Sequence, residues 1–338
     1  TSKEDTCVYA TFLSKHTSRA INLLQDITFH STFPNEEITK EKAVIFDEIY
    51  SYQDSPYEQI FEDFEHLVFG NHPLGGGILG TVESVRGLTR EDLVQFINDY
   101  YCVNESIVIS SVSNLNAEKI KALLEKGFDA IAFNDRLNEK EIPFNYAPQN
   151  KVVDRNTFQS HIIMGTTAYH HQHPGKTALI LLNNILGGPA MNSRLNLNVR
   201  EKYGFTYNIE SNFTPFSDSG LFSIYLGTDA KYVTRSKEIV FRELKKLKTK
   251  ALSNLQLTRY KDQLKAQIAI SKENNGQSML SFGKSLLLHN KIDTFDEILR
   301  KIDSITSNQL IEVARDVFNT DEFSELIYKS NHSNGVPS

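Results

Sequence analysis

Cysteine is scarce in this sequence of 338 residues, and several familiar functional motifs are missing from it. The only cysteines are Cys7 and Cys102, and no C-x-x-C motif occurs, which excludes a disulfide framework and a zinc site built from cysteines. The motifs G-x-S-x-G, H-E-x-x-H and H-x-x-E-H are absent as well. No run of about 18 apolar residues occurs, so the sequence contains no candidate membrane-spanning helix.

Positive charge is also in slight deficit, because 36 lysine and arginine residues face 42 aspartate and glutamate residues, for a net charge of −6. Bulk charge therefore does not indicate a surface for nucleic acid or lipid headgroups. Apolar residues make up 40% of the chain, as in ordinary globular proteins. The length predicts about two domains, each large enough to bury a core.

Helical and strand-like hydrophobic patterns alternate along the chain and predict an α+β fold. Predicted strands are Cys7–Leu13, Ile107–Val112, Gln159–Thr167, the hairpin Tyr207–Phe213 with Gly220–Gly227, and Phe323–Tyr328. Predicted helices are Ser18–Phe29, Pro34–Tyr52, Tyr57–Phe69, Thr89–Tyr101, Ala117–Lys126, Thr177–Leu186, Thr234–Lys248, Leu255–Ser271 and Ser307–Phe318. Two prolines and poor periodicity after residue 127 predict domains at 1–140 and 157–338, joined by a linker at 141–156.

The two halves show signs of an internal duplication. At an offset of 217, Thr89 aligns with Thr306 in two similar helical stretches. At an offset of 219, Ile45 in the second helix aligns with Leu264 in the later one. Two amphipathic helices can align by chance, but two separate matches at nearly equal offsets favour duplication.

Two glutamates stand out on the second helix. Glu41 and Glu48 are seven residues apart and fall on its apolar stripe, so we expect both to face inward. An ionised carboxylate that faces the interior must be paired, hydrogen-bonded or bound to a metal. The duplicated helix carries the neutral residues Tyr260 and Gln267 at these positions, so the repeat itself does not require acids. A structural salt bridge remains the alternative.

At these residues the sequence resembles the inverzincin metallopeptidases, which include mitochondrial processing peptidase, pitrilysin and insulysin. It is most similar to short bacterial members of the processing-peptidase type. The resemblance covers essentially the whole chain and is carried by the stretches TSKEDTCVYATFLSKH, STFPNEEITKEKAVIFDEIYSYQDSP, GNHPLGGGILGTVESVRGLTREDL and LGGPAMNSRLNLNVREKYGFTYNIES.

The resemblance implies a zinc ion held by two histidines of an H-x-x-E-H helix and by Glu48, with an open position for water. It assigns Glu41 the role of orienting the ligands. By the family spacing, the histidines fall upstream of Thr1, on a segment that this sequence does not include. We therefore expect this chain alone to bind zinc weakly and to be inactive; if no such segment exists, the protein is an inactive relative.

A second site implied by the resemblance lies in the other half of the chain. There Arg200 and Tyr207 would contact the bound peptide and its reacting carbonyl group. Gly187, Gly188 and Ser193 match the glycine-rich turn that precedes this site in the family. Without the resemblance, Arg200 would be expected to pair with a nearby acid and Tyr207 to pack in the sheet.

The function implied is a zinc-dependent endopeptidase that cleaves short or unfolded peptides inside a closed chamber. Family architecture predicts two related α+β domains, each a mainly antiparallel sheet with helices on one face, and a homodimer or a heterodimer with a related subunit. No nucleic acid and no membrane partner is expected. The alternatives are a non-catalytic subunit that presents peptide to an active partner, and a structural assembly subunit.

Three weaker signals in the sequence point to other functions. The glycines of 75–80 match the G-x-G-x-x-G dinucleotide pattern, but a helix precedes them where a strand is required. The cluster His170, His171 and His173 is more typical of a solvated turn than of a metal site. Thr1 as an N-terminal nucleophile does not fit the order of helices and strands.

Overall fold

The computed structural model describes residues 1–103, 106–129, 131–134 and 144–331. The helices are α1 (Thr17–Phe29), α2 (Asn35–Asp54), α3 (Pro56–Phe69), α4 (Val82–Gly87), α5 (Arg90–Phe96), α6 (Ala117–Phe128), α7 (Lys176–Gly187), α8 (Val233–Thr249), α9 (Asn254–Lys272), α10 (Asn275–His289), α11 (Phe295–Asp303) and α12 (Ser307–Val317). The strands are β1 (Asn150–Arg155), β2 (Ser160–Thr167), β3 (Thr206–Pro215), β4 (Gly220–Thr228) and β5 (Ser324–Ser330). In these ranges no helix is long and apolar enough to cross a membrane.

The chain divides into two compact units, each assembled from separate stretches of sequence. Unit 1 consists of Thr1–Tyr50, Ile78–Glu141 and Ala269–Asp293, and unit 2 of Ser51–Gly77, Ile142–Ile268 and Thr294–Ser338. Each unit therefore contains one helical segment from the other half of the sequence. The predicted boundaries of the homologous domains stay a prediction, and residues 141–143 of the predicted linker lie outside the described residues.

The sheet of unit 2 has the strand order β1-β5-β2-β4-β3. The pair β1 and β5 is parallel, and the other three pairs are antiparallel. The predicted hairpin is observed as β3 and β4, whereas β1 forms inside the stretch that was predicted to be linker. The α+β class is thus confirmed, and β3 lies at one edge of the sheet.

Apolar side chains on this sheet alternate between its two faces. Ile162 of β2 belongs to a core with the buried residues of α7, α8 and α12, whereas its neighbour Ile163 belongs to a second core with α3. Helices α7, α8 and α12 of the second half thus pack on one face of the sheet, as predicted for that domain, and α3 covers the other face. Because α3 comes from the first half of the chain, the pattern of the second half alone does not reveal it.

Helix α3 has a clear start and a buried apolar stripe. Ser55 accepts a hydrogen bond from the backbone N–H of Glu58 at 3.4 Å, and Pro56 occupies the first helical position. Ile60, Phe64 and Val68 follow at helical spacing and are almost completely buried against the sheet. This burial fixes a helix from the first half of the sequence on the sheet of the second half.

Unit 1 is mainly helical in its described part. The segments Cys7–Leu13 and Ile107–Val112, predicted to be strands, form no β-ladder there. Val8 and Tyr9 are exposed, because no strand pairs with this segment among the described residues and an isolated strand buries little apolar surface. Among the described residues of this unit, few apolar ones are buried: Ala20, Ile21, Ile49, Val85 and Val103.

The helices support the duplication. Thr89 accepts a hydrogen bond from the N–H of Asp92, and Thr306 accepts one from the N–H of Gln309; both belong to capping boxes. Helices α2 and α9 begin at Asn35 and Asn254, which preserves the offset of 219. Corresponding helices of the two halves thus begin at corresponding positions.

Candidate functional site

Helix α2 packs through a face that includes Ile49 of the predicted apolar stripe but not Glu41 or Glu48. Ile49 is buried, Lys42 donates to the backbone carbonyls of Arg86 and Leu88 at 3.0 and 2.5 Å, and the Arg86 guanidinium lies 5.9 Å from the ring centre of Phe46. These contacts turn the face around Lys42, Phe46 and Ile49 toward the rest of unit 1.

As a result, the two candidate glutamates point away from the packed face. Glu41 and Glu48 are both exposed, and Val44 between them is 50% exposed. The expectation that both carboxylates turn inward was therefore wrong for this structure. Their roles as ligand-orienting residue and metal ligand stay predictions.

The matching helix of unit 2 explains why this face of α2 is open. At the offset of 219, Glu41, Val44 and Glu48 correspond to Tyr260, Gln263 and Gln267 of α9. All three of these residues are half-buried.

Helix α7 contacts this face of α9. The side-chain amide of Asn184 on α7 donates to Gln267 at 2.7 Å and accepts a hydrogen bond from Gln263 at 3.2 Å. Gln263 in turn accepts from Asn192 at 2.7 Å. We call these four side chains the amide cluster. Among the described residues of unit 1, no helix contacts α2 in this way, so the face that carries Glu41 and Glu48 remains exposed.

The described part of the chain contains no assembled zinc site. Such a site requires about four ligands at about 2.0–2.3 Å from the ion. Glu48 supplies one carboxylate, and no group of three or more histidine, cysteine, aspartate or glutamate side chains that could hold a metal occurs in the described residues. Within the described ranges, Glu48 therefore has no further ligands beside it with which to hold a metal.

Arg200 and Tyr207 lie on either side of a tight turn in unit 2. Arg200 is in the π-helical turn Asn196–Glu201, and its carbonyl accepts from the N–H of Gly204, which has a φ of +64°. Only glycine adopts this backbone region readily. Arg200 lies 3.8 Å from the carboxylate of Glu201, in an exposed ion pair that contributes little to stability.

Tyr207 is placed on the edge strand β3 at an irregularity in the ladder. Thr206 pairs with Thr228 and Asn208 with Gly227, so Tyr207 is an extra residue in a β-bulge. Bulges redirect a side chain away from the regular pleat. The Tyr207 side chain is 84% exposed, so it does not pack in the sheet and its hydroxyl group is accessible to a ligand.

A second tyrosine lies beside β3. Tyr57 of α3 donates its hydroxyl hydrogen to Glu210 at 2.9 Å and packs edge-on to Tyr225 with ring centres 5.0 Å apart. Burial, followed by the bond to Glu210, raises the pKa of Tyr57. Glu210 on β3 is thus held by the helix that comes from the first half of the chain.

The glycine-rich turn before Arg200 makes a close backbone approach. A Cβ atom on Gly187 would lie 2.6 Å from the backbone nitrogen of Ser211, so any larger residue would separate α7 from β3. Ser193 is buried and accepts a hydrogen bond from Asn196 at 2.9 Å. The turn thereby anchors the segment that leads to Arg200.

The weaker signals correspond to structural features. His173 stacks on Tyr169 with ring centres 3.7 Å apart, and Tyr169 donates to Asp316 at 2.6 Å. Burial lowers the pKa of His173, which opposes protonation in this turn. The glycines of 75–80 follow α3 and a 3₁₀ turn, not a strand, so they do not form a dinucleotide-binding turn.

Two family models together match most of the chain. One, described as Insulinase (Peptidase family M16), matches residues 1–82, and the other, described as Peptidase M16 inactive domain, matches residues 87–264. The chain belongs to the M16 peptidase family. The resemblance read from the sequence is thereby confirmed, and this M16 chain carries parts of both models.

Relatives of similar extent support this assignment. The chain is 34% identical over 330 residues to a protein named uncharacterized zinc protease YmxG from Bacillus subtilis, covering 98% of this chain and 80% of the relative. It is 30% identical to an uncharacterized zinc protease from Rickettsia felis, with coverage of 97% and 78%.

A solved structure confirms the fold of this M16 chain. The crystal structure of a peptidase M16 inactive domain from Pseudomonas fluorescens superposes with a TM-score of 0.86 at 20% identity, covering 95% of this chain and 76% of that one. At this identity the likeness shows the fold alone.

The amide cluster of this M16 chain was missed by the sequence analysis. The duplication aligned Gln267 with Glu48, but it gave no reason to select Asn184, which lies about 80 residues earlier. The signal that could have found it is a polar pair, Asn183 and Asn184, within the otherwise apolar run TALILLNNILGG.

Proposed function

We propose that this chain supplies a carboxylate ligand and a peptide-binding surface to a zinc endopeptidase that cleaves short or unfolded peptides. Membership of the M16 family and the names of its relatives support peptide hydrolysis. The observation that carries the proposal is the open face of α2. On the corresponding face of α9, helix α7 brings a polar side chain into contact with Gln263 and Gln267. By analogy, a further helix that packed on the open face of α2 could add metal ligands beside Glu48.

The proposed metal ligand from this chain is Glu48, and Glu41 lies about two turns away on the same face, where it can hold a histidine ligand in orientation. The remaining donors are two histidines of an H-x-x-E-H helix. Because this sequence does not contain them, the chain alone does not perform the reaction in this proposal.

Arg200 and Tyr207 are proposed to bind the peptide. A guanidinium group offers several donors in a fixed plane and can hold a peptide carbonyl or carboxylate. The accessible hydroxyl of Tyr207 can donate to the carbonyl oxygen of the bond that is attacked. We further propose that the protein works as a dimer, with a second copy or a related chain enclosing the peptide.

A non-catalytic role is the second candidate. The described residues contain no group that could hold a metal, which favours a subunit that presents peptide to an active partner, or an assembly subunit. In that case Arg200 and Tyr207 bind peptide while Glu48 has no ligand role.

Zinc binding distinguishes the two candidates. The chain as given should bind zinc weakly in equilibrium dialysis, because one carboxylate does not make a site. When the chain is joined to a segment that carries an H-x-x-E-H helix, zinc binding and peptide cleavage should appear, and Glu48→Gln should abolish both. Asp47→Asn, an exposed neighbour on the same helix, is the matched control. Full zinc retention in Glu48→Gln would contradict the proposed ligand.

A further inference from the structure

The position of the Tyr207 hydroxyl group depends on the backbone of β3, because the side chain is 84% exposed. This backbone is irregular at the bulge, where the ladder to β4 is disrupted. The Thr206 hydroxyl donates to the Asn208 carbonyl at 2.7 Å, which closes the bulge on itself. Strand β3 lies at the edge of the sheet, so among the described strands β4 alone pairs with it. Contacts made elsewhere on β3 therefore determine where Tyr207 lies.

One such contact holds β3 from the face that α7 covers. The Ser211 hydroxyl donates to the Asn183 carbonyl of α7 at 3.1 Å. The close approach of Gly187 to Ser211 lies at the same point, and Ile209 is buried in the same core as α7. Because Ser211 follows Tyr207 by four residues, this contact fixes the strand beyond the bulge and leaves the bulge itself to other contacts.

A second contact holds β3 from the face that α3 covers. The Tyr57 hydroxyl of α3 donates to Glu210 at 2.9 Å. The Tyr57 ring is itself fixed, because it packs edge-on to Tyr225 of β4 and to Phe61 of α3, with ring centres 5.0 and 5.3 Å away. Glu210 and Tyr225 are partners in the register of β3 and β4. Tyr57 therefore ties both members of one cross-strand pair to α3.

The Tyr57 hydroxyl group also interacts with the residue that follows Tyr207. Burial and the bond to Glu210 raise the pKa of Tyr57, and a weaker hydrogen bond with the Asn208 side chain opposes them. Asn208 is the first residue after the bulge that pairs with β4. Because a strand advances about 3.3 Å per residue, Glu210 lies within about 10 Å of Tyr207 along β3. One hydroxyl group of α3 thus contacts β3 at the bulge and two residues beyond it.

We propose that Tyr57 is a positioning residue, which acts through Glu210 and Asn208 to hold the bulge so that the Tyr207 hydroxyl group meets the reacting carbonyl. The proposal rests on the proposed function, because it takes Tyr207 as the donor to that carbonyl. Tyr57 itself touches neither peptide nor metal. A misplacement of about 1 Å at a reacting group can lower a rate by about 10²-fold, so a single hydrogen bond on the supporting strand has a measurable effect.

A double-mutant cycle in a zinc-loaded enzyme that contains the full chain tests the proposal. Tyr57→Phe should lower kcat by about three- to tenfold with KM unchanged, because the Tyr207 hydroxyl acts in the transition state. Tyr57→Phe/Tyr207→Phe should be no slower than Tyr207→Phe, since nothing is left to position. Losses that multiply, or a native rate in Tyr57→Phe, would overturn the proposal. A native rate in Tyr207→Phe would instead contradict the proposed role of Tyr207, and this inference with it.

Two variants of Glu210 separate the hydrogen bond from the charge. Glu210→Gln keeps an oxygen that can accept from the Tyr57 hydroxyl, so its rate should stay close to that of the native protein. Glu210→Ala removes the acceptor and should be as slow as Tyr57→Phe. An equal loss in the two Glu210 variants would show that the charge matters and the bond does not, which would overturn positioning through Tyr57.

The matched control removes an equivalent bond of α3 elsewhere on the sheet. Tyr328→Phe also takes a tyrosine–carboxylate bond from α3, but Tyr328 lies on β5. This variant should keep the native kcat. Hydrogen exchange followed by mass spectrometry gives a second measurement, on the chain without zinc. The amides of residues 206–210 should exchange about fivefold faster in Tyr57→Phe than in Tyr328→Phe. Equal exchange in the two variants would overturn the proposal whatever the activity of Tyr207→Phe.

Discussion

Tyr328 donates its hydroxyl hydrogen to Asp63 at 2.6 Å, across 265 residues of sequence. The tyrosine lies on β5 and is fully buried, and Asp63 lies on α3, which comes from the first half of the chain. Burial, followed by the contact with Asp63, raises the pKa of Tyr328. This bond joins the last strand of the chain to its third helix.

Removing the hydroxyl group should destabilise unit 2. Tyr328→Phe leaves the ring in place but takes a donor from Asp63, so we expect a loss of about 1–2 kcal/mol in the free energy of unfolding. Urea unfolding followed by circular dichroism measures it. Tyr9→Phe, at a site that is 63% exposed, should change nothing. Equal stability of the two variants would contradict the role assigned to this bond.

The second half of the chain should not fold without α3. A fragment of residues 144–331 contains all five strands of the sheet but lacks α3. It would therefore expose the apolar face formed by Ile163, Leu221 and Leu326. We expect this fragment to aggregate or bind a hydrophobic dye, and the same fragment with residues 51–77 attached by a flexible linker to fold cooperatively. A soluble, cooperatively folded 144–331 would show that α3 is dispensable.

Stability should decrease as the solution becomes mildly acidic. Burial lowers the pKa of His161, whose Nδ1 atom lies 2.8 Å from the Tyr225 hydroxyl. Between about pH 6.5 and the lowered value, the unfolded chain binds the proton and the folded chain does not, so the free energy of unfolding falls as pH falls and is level above that window. His173 adds in the same direction, because burial lowers its pKa too.

Urea unfolding at pH values of about 7.5, 6 and 5 tests this dependence. His161→Gln should flatten the slope below about pH 6.5, and His173→Gln is the comparison at a more exposed site. A slope that is unchanged by His161→Gln would exclude His161 as its source.

Tyr207 should affect catalysis without affecting stability. In a zinc-loaded enzyme containing this chain, Tyr207→Phe should lower kcat/KM by about 10²-fold if the hydroxyl donates to the reacting carbonyl. Its Tm should stay constant, because the side chain is 84% exposed. Tyr100→Phe, on an exposed residue of unit 1, is the control. An unchanged rate would remove Tyr207 from the site.

Local sequence signals predicted most of the helices and the strands of unit 2. The starts of α5 and α12 were predictable because each is marked by a threonine N-cap, Thr89 or Thr306, and by its capping partner three residues later. The β3–β4 hairpin was predictable for a similar reason, since its two strands are adjacent in sequence. Strand β1 was missed because its partner β5 is more than 170 residues away.

The candidate site was predictable in part. The heptad spacing selected Glu41 and Glu48, but their exposure depends on which helix covers α2, and one helix carries no information about its neighbour. The amide cluster shows the same limit, because Asn184 and Gln267 are polar residues of ordinary type that acquire meaning only when α7 and α9 meet. The exposed position of Tyr207 follows from a bulge that involves its partner strand.

The bond between Asp63 and Tyr328 can form only after nearly the whole chain has been synthesised. At about 5–20 residues per second, a ribosome needs about 13–50 s to translate the 265 residues that separate the two. During that interval the apolar stripe of α3 has left the ribosome but has no completed sheet to cover. For most of its synthesis the nascent chain therefore exposes the apolar face of α3, which a holding chaperone would have to cover.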